Sequence, residues 1–298
     1  MNLIIQGLEV HTQDLKQLAK MSAASAIESI TQQAFRLRDA SADAEPLVRS
    51  HCETAQLDYA FVPQQRSIEQ FGLLVMDMDS TLITIECIDE IADMVGLKPQ
   101  VAAVTAAAMR GEIEFAESLT RRVALLKGLD QNALQRVYDE RLQLSPGAEQ
   151  MLKKLKQHAI KTLLVSGGFT FFTDKLKQRL GLDFAFSNSL EIAQGKLTGK
   201  VLGNILDAQG KADALNCVRT QLNLSREQVI GMGDGANDLK MMAQAGISVA
   251  YRAKPIVREQ ATYALNYVGL DGLIHLLANS HTFLTRNFLT KWRRKNHP

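Results

Sequence analysis

Phe71-Gly-Leu-Leu-Val-Met-Asp77-Met-Asp79-Ser-Thr81 is an apolar run of strand length that ends in two carboxylates one residue apart. A run with no polar alternation suits a strand buried on both faces of a parallel sheet. Carboxylates at the end of such a strand face both desolvation and each other's charge, and a bound cation relieves both. Magnesium fits, because it prefers hard oxygen ligands and keeps waters that a phosphate can replace. Read alone, the same residues also describe an acidic turn exposed at a strand end.

Similar apolar runs recur at 161–165, 228–232 and 246–250. Between them lie helical patterns such as Ala148, Met151, Leu152 and Leu155, spaced to share one helix face. Alternating strands and helices predict a doubly wound α/β core with a parallel sheet. From Ile88 to Gln143 the pattern is almost wholly helical, punctuated only by Gly96, Pro99, Gly111 and Gly128. Ligands in open α/β sheets bind beyond the carboxyl ends of the strands, so a helical insertion after the first strand is expected to cap the site.

Ahead of the core, the first residues predict a small α/β unit. The elements read as a strand over Leu3–Val10, a helix over Thr12–Met21, a strand over Ala34–Leu37, a helix over Asp43–Ala55 and a strand over Tyr59–Val62. The polar Pro63-Gln-Gln-Arg-Ser67 marks its end. The expected division is therefore residues 1–66, a core of 67–85 and 146–279, a cap of 86–145, and a basic tail of 280–298 read as solvated.

Composition sets the outer bounds. In 298 residues, 46% hydrophobic, 22% charged and a net charge of +2 describe a globular chain with no global attraction to nucleic acid. The three cysteines, Cys52, Cys87 and Cys217, are too few and too far apart for a disulfide framework or a zinc site. The N-terminus shows neither a basic leader nor a cleavage signal, and no apolar run reaches membrane-spanning length. The expectation is a cytoplasmic protein with no membrane or nucleic-acid partner.

Three further segments carry candidate chemistry. Gly231-Met-Gly233-Asp234-Gly235-Ala-Asn237-Asp238 follows another apolar run and brings more carboxylate oxygen to the same sheet edge. Leu163-Leu-Val-Ser166-Gly167-Gly168 ends a third run in a hydroxyl and two glycines, whose backbone N–H groups suit phosphate oxygens. A Ser-Gly-Gly turn is equally a common structural element. Gly203 and Gly210-Lys211 resemble an NTPase phosphate loop only superficially, because the spacing is too long and Ala212 stands where a hydroxyl is needed. Lys211, at the start of a helix over Lys211–Leu222, reads by itself as a solvated side chain.

Asp-Met-Asp-Ser-Thr at 77–81, the Ser166-Gly-Gly strand end, Lys211 and Gly-Asp-Gly-Ala-Asn-Asp at 233–238 occur in the order shown by haloacid dehalogenase-type phosphatases. The insertion resembles the members that act on phosphoserine, through Glu86-Cys-Ile-Asp-Glu90, Met109-Arg-Gly-Glu-Ile-Glu-Phe115 and Ser118-Leu-Thr-Arg-Arg122-Val-Ala-Leu-Leu126. The likeness spans about Phe71 to Leu277, and residues 1–66 resemble the small regulatory-type domains that precede some such phosphatases.

The resemblance implies a fold, a mechanism and a set of roles. It implies hydrolysis of O-phospho-L-serine, the last step of serine biosynthesis, by an enzyme for which a homodimer is compatible. Asp77 is implied as the nucleophile and Asp79 as the acid and base. Mg²⁺ is implied to be held by Asp77, the Asp79 carbonyl and Asp234, with Asp238 in support. Ser166, Gly167, Lys211 and Asn237 are implied to receive the phosphate. Glu86 is implied to meet the ammonium and Arg122 the carboxylate, with Met109 and Phe115 closing over them. Two alternatives remain open at this point: a phosphatase or phosphotransferase for another small phosphomonoester, and a non-catalytic amino-acid sensor.

Overall fold

The computed structural model describes residues 1–278, so the basic tail of 280–298 and the last residue of the expected core lie outside the described residues. The described residues form two compact units, one of Met1–Gln70 with 272–278, the other of Phe71–Asp271. No helix among the described residues is long and apolar enough to cross a membrane.

The first unit runs β1 (Asn2–Gln6), α1 (Thr12–Met21), β2 (Ala26–Ser29), β3 (Ala34–Arg38), α2 (Glu45–Ala55) and β4 (Asp58–Val62). Its antiparallel sheet has the order β2-β3-β1-β4. Leu3, Ile5 and Leu37 meet Leu15 and Leu18 of α1 and Val48 and Cys52 of α2 in one core. The first strand stops four residues short of the expected Val10, where the chain turns at Gly7, and a Cβ there would meet Leu57 at 2.5 Å. Strand β2 was not expected: three of its four residues are exposed, so it carries no apolar period to read.

The second unit contains β5 (Leu73–Met76), then α3 (Cys87–Asp93), α4 (Lys98–Met109), α5 (Phe115–Leu125) and α6 (Asn132–Glu140). It continues with α7 (Ala148–Gln157), β6 (Lys161–Phe169), α8 (Thr170–Leu180), β7 (Phe184–Ala193), β8 (Lys196–Leu202) and α9 (Ala208–Gln221). It closes with β9 (Val229–Gly233), α10 (Leu239–Met242), β10 (Ile247–Tyr251), α11 (Pro255–Gln260) and β11 (Tyr263–Leu265), and α12 (Gly272–Leu276) follows in the first unit.

The seven strands are ordered β11-β10-β9-β5-β6-β7-β8, all parallel except β8, which pairs antiparallel to β7. Every residue of β5, β9 and β10 is buried, as their unbroken apolar runs require. Strand β5 lies between β6 and β9, so the three segments singled out from the sequence end side by side at the carboxyl edge of the sheet. The hairpin β7–β8 was not anticipated. Its strands are largely half-exposed and mix polar with apolar residues, and its turn is Gln194-Gly195, both at positive φ (51° and 75°), a conformation that matches the twist of a tight hairpin.

Helices α3 to α6 leave and rejoin the core through two paired stems. Thr84 N donates to Gln143 O at 3.0 Å, Ser145 N donates to Leu82 O at 2.9 Å, and Ile83 bridges Leu144. The far corner of this insertion is also tied down. Gly128 N donates to Leu197 O and Leu197 N to Leu129 O, both at 2.8 Å, and Gln131 N donates to Gly195 O at 2.9 Å. The α5–α6 corner is thus hydrogen-bonded to the β7–β8 hairpin as well as to the stems.

Candidate active site

Asp77 is the first residue beyond β5, buried at 5% exposure. Its Oδ1 accepts from the backbone N–H of Met78 at 2.7 Å and lies 2.8 Å from Lys211 Nζ. Lys211 is 1% exposed on the first turn of α9, where Asp207 caps the helix by accepting from Gly210 N at 2.8 Å. The ammonium also donates to Asp238 Oδ1 at 2.7 Å. The plain solvated lysine is therefore excluded. Burial alone would pull Lys211 down, but Asp238 and Asp77 outweigh it and hold the ammonium charged.

Asp238, fully buried, spends its other oxygen on structure: Oδ2 accepts from Asp234 N at 3.2 Å and from Gly235 N at 3.0 Å. The turn closes this tightly only because residue 233 is glycine, where a Cβ would lie 2.4 Å from Asp238 Oδ2. Asp234 is left with one donor, Thr81 Oγ1 at 3.1 Å. Burial first, then Asp238 and Glu86, push its carboxyl up to about 6. Burial and Asp238 likewise push Asp77 upward, opposed by Lys211.

Asp77, Asp234 and Asp238 each present an oxygen within 4.8 Å of the others. One ammonium, paired with Asp77 and Asp238, stands against three carboxylates, so the cluster is short of positive charge, and its donors are all hard oxygens. That set fits a metal cation.

Asp79 leans the other way, toward β6 and the insertion. Its Oδ1 accepts from Cys87 N at 3.2 Å, and its Oδ2 lies so near Gly168 that a Cβ there would stand 3.0 Å away. Burial, then Glu86, raise its carboxyl to about 7. Ser166 is fully buried, and its Oγ accepts from Gly168 N at 2.9 Å.

The insertion contributes three of its four expected residues to this region. Glu86 precedes α3 and accepts from Ser80 Oγ at 2.7 Å, with Ser80 held in the left-handed region at φ +56°. The Phe115 ring rests on Gly167, where a Cβ would be 2.9 Å from Cζ. Arg122 is largely buried on α5, its Nε donating to Ser118 O at 3.4 Å; burial lowers it, while Asp89, Glu86 and Asp79 act in the opposite direction. Met109, at the end of α4, is 69% exposed and is not drawn against these side chains. Asn237 sits half-buried in the turn between Gly235 and Asp238.

Several residues at the site were not singled out from the sequence. Ser80 and Thr81 stood within the quoted motif, but nothing marked them as partners of Glu86 and Asp234. Asp89 faces Arg122 from α3 and has a buried Oδ1 with no hydrogen bond, a position that only the packing of α3 against the other helices reveals.

The haloacid dehalogenase-like hydrolase family matches residues 71–246, and a domain of unknown function (DUF4072) matches residues 3–46. The phosphoserine phosphatase of Polaromonas sp. is 53% identical over 215 residues, covering 70% of this chain and 91% of that protein. The unliganded structure of a probable phosphoserine phosphatase from Vibrio cholerae superposes with a TM-score of 0.81 at 38% identity, over 93% of this chain and 86% of that one. A phosphoserine phosphatase solved as a phospho-aspartyl intermediate analogue gives a TM-score of 0.65 at 38% identity, over 68% of this chain and 97% of its own. With Asp77, Lys211, Asp234 and Asp238 gathered at one sheet edge, the chain belongs to the haloacid dehalogenase-like hydrolases, in the family of the phosphoserine phosphatases.

Proposed function

We propose that the chain hydrolyses O-phospho-L-serine to L-serine and phosphate, with Mg²⁺ as its metal and with an aspartyl phosphate formed on Asp77. The observation that carries this reading is the placement of Asp77, at the end of the central strand, 2.8 Å from a buried lysine and beside a carboxyl held near neutrality. Its relatives support it: they carry the same activity by name, and one was solved as an analogue of that intermediate.

Residues 86–145 serve as the cap over a core whose ends lie at Phe71 and Asp271, inside the expected 67 and 279. Mg²⁺ would be held by Asp77, the Asp79 carbonyl and Asp234 with Asp238 behind them, and when bound it supplies the positive charge that lets an anionic nucleophile approach an anionic phosphate. Without compensation, a carboxylate at ~3 Å from one phosphate charge is opposed by roughly 5 kcal/mol at an effective dielectric of ~20. Lys211 offsets part of this from the protein side, while Ser166 Oγ, the Gly167 backbone and Asn237 receive the remaining oxygens.

Asp77 attacks phosphorus as the bond to the serine oxygen breaks. Asp79, raised to about 7, carries the proton that this leaving oxygen needs. As a carboxylate it then takes a proton from the water that attacks the aspartyl phosphate, and the Asp77 oxygen–phosphorus bond breaks to release phosphate. Glu86 meets the substrate ammonium, Arg122 meets its carboxylate, and Phe115 with Met109 shields the pocket once substrate is in place. Free Cys52, Cys87 and Cys217 fit a cytoplasmic site of action.

A phosphate-release assay with serine, threonine and sugar phosphates, with and without Mg²⁺, tests the reading. Phosphoserine should lead the series and lose turnover on chelation. Equal rates for a sugar phosphate, or metal-independent turnover, would overturn it.

A further inference from the structure

We propose that Asn188 is a positioning residue that locks the phosphate-receiving loop after β6 and couples it to the segment that leads into the Lys211 helix. The inference rests on the reading of Ser166 and Lys211 as phosphate ligands. Asn188 is 2% exposed on β7, paired with Phe169 at the point where the register of β6 and β7 slips. Both ends of its amide are used. Nδ2 donates to Gly167 O at 2.9 Å, and Oδ1 accepts from Leu206 N at 2.7 Å. Because one partner is a carbonyl and the other an N–H, the amide has only one orientation that satisfies both.

The first of these bonds decides where a neighbouring N–H points. Gly167 C=O and Gly168 N–H belong to one planar, trans peptide unit and therefore point in opposite directions. Holding the carbonyl toward β7 aims Gly168 N–H back toward Ser166 Oγ, which accepts from it at 2.9 Å. With that interaction filled, the Ser166 hydroxyl keeps its own hydrogen for another acceptor. A peptide between two glycines has little steric barrier to turning over, so the sequence that lets Phe115 and Asp79 approach this loop also leaves it loose. Asn188 supplies the restraint that the missing side chains do not.

The second bond holds Leu206 N, directly before Asp207, the residue that caps α9 one turn ahead of Lys211. One buried amide thus links the two protein groups read as gripping the phosphate, Ser166 and Lys211. Neither Asn188 arm bonds to Glu86, ahead of α3, or to Arg122 on α5, the residues read as meeting the ammonium and the carboxylate; toward the amino-acid end it touches only Gly167, on which Phe115 rests. Its removal should therefore be felt far more by phosphate than by serine.

The test compares Asn188→Asp and Asn188→Ala with the parent enzyme and with Ser166→Ala. Asn188→Asp keeps an acceptor for Leu206 N but sets an oxygen against Gly167 O, so it should damage the loop at least as much as Asn188→Ala. Both should lower kcat/KM for phosphoserine by about 10- to 100-fold, the span expected for a lost buried hydrogen bond and a stranded partner. Inhibition by inorganic phosphate should weaken by about tenfold while inhibition by L-serine stays within twofold. Folded variants that keep parental phosphate inhibition, or that lose phosphate and serine inhibition equally, would overturn the proposal. If Ser166→Ala leaves phosphate inhibition unchanged, the site reading fails and the proposal falls with it. Should both Asn188 variants fail to fold, the parent decides: with Mg²⁺ present, the Asn188 side-chain amide resonances must shift as inorganic phosphate is titrated, and unmoved resonances would refute it.

Discussion

Lys211→Met removes a charge that is 1% exposed and engages two carboxylates, Asp77 Oδ1 at 2.8 Å and Asp238 Oδ1 at 2.7 Å. At these separations each pair is worth about 6 kcal/mol of direct attraction at an effective dielectric of ~20, most of which is returned as the cost of removing the ions from water. Stranding the carboxylates is a different matter, since removing one partner of a buried pair costs about 3–5 kcal/mol, and two partners are stranded here. The upper end, about 5 kcal/mol, corresponds to a fall in Tm of roughly 10–20 °C at pH 8 without metal.

The loss should be smaller at pH 5. With the lysine gone, the carboxyl of Asp77, already raised by burial, loses the ammonium that opposes the rise and is held higher than in the parent. A carboxyl raised above its unfolded value binds its proton more readily in the folded state, so the folded protein gains stability as pH falls through the raised value. Thermal unfolding at pH 5 and pH 8 measures this difference directly. In the same protein kcat/KM should fall by about 10²- to 10³-fold, the usual result of losing a fixed electrostatic partner of the reacting group. A variant melting within 3 °C of the parent at pH 8 on the scale of roughly 2–4 °C per kcal/mol, with kcat/KM within tenfold, would refute the charge argument.

Asp77→Asn should abolish turnover and aspartyl-phosphate trapping by a fluoride mimic while preserving the circular dichroism spectrum; substantial residual hydrolysis is the contrary result. Arg122→Ala should lower kcat/KM for phosphoserine by roughly 2–4 kcal/mol, yet change phosphoethanolamine hydrolysis far less, and equal losses would mean that the arginine holds the cap together instead. Because burial raises Asp79 to about 7 and Asp234 to about 6, the metal-free protein should lose stability as pH rises from about 4 through 7, the window between the unfolded and folded values. Mg²⁺ needs the ionised groups, so the Tm difference between Mg²⁺ and chelator should be larger at pH 8 than at pH 5; a pH-independent difference would contradict this.

What could be read without coordinates was what depends on burial of backbone. The runs that became β5, β9 and β10 are apolar but for Ser248 because both faces of each strand are covered, and the carboxyl ends of β5 and β9 carried motif residues to one edge. The exposed elements were silent for the opposite reason. Strand β2 and the hairpin β7–β8 leave apolar residues such as Ile27, Phe186 and Ile192 exposed beside polar ones, so they carry no clean apolar period, and only the Gln194-Gly195 turn advertised the hairpin. The site shows the same division. Asp77, Asp79, Asp234, Asp238 and Lys211 were legible through motifs, whereas Asn188 is one polar residue in Phe-Ser-Asn-Ser-Leu at 186–190 and acquires meaning only from Gly167 and Leu206 across the fold. Met109 illustrates the converse, a residue carried forward by resemblance that this conformation leaves 69% exposed at the end of α4.

The hydrogen bonds sort the four core carboxylates by how much protein charge each already has. Asp238 is the most satisfied, with Lys211 on one oxygen and two backbone N–H groups on the other, so it has little left to offer a ligand and acts by holding the turn and the lysine. Asp77 comes next, with Met78 N and Lys211 on a single oxygen. Asp79 has Cys87 N and is raised to about 7, which suits a group that must give up and recover a proton. Asp234 has a lone hydroxyl, Thr81, although it is pushed up to about 6 by burial and by Asp238 beside it. The oxygens left without a hydrogen-bond donor are therefore concentrated on Asp234 and Asp77. A cation held by those oxygens would add to the Lys211 ammonium the positive charge that three gathered carboxylates lack, a demand set by which carboxylate oxygens the fold leaves without donors.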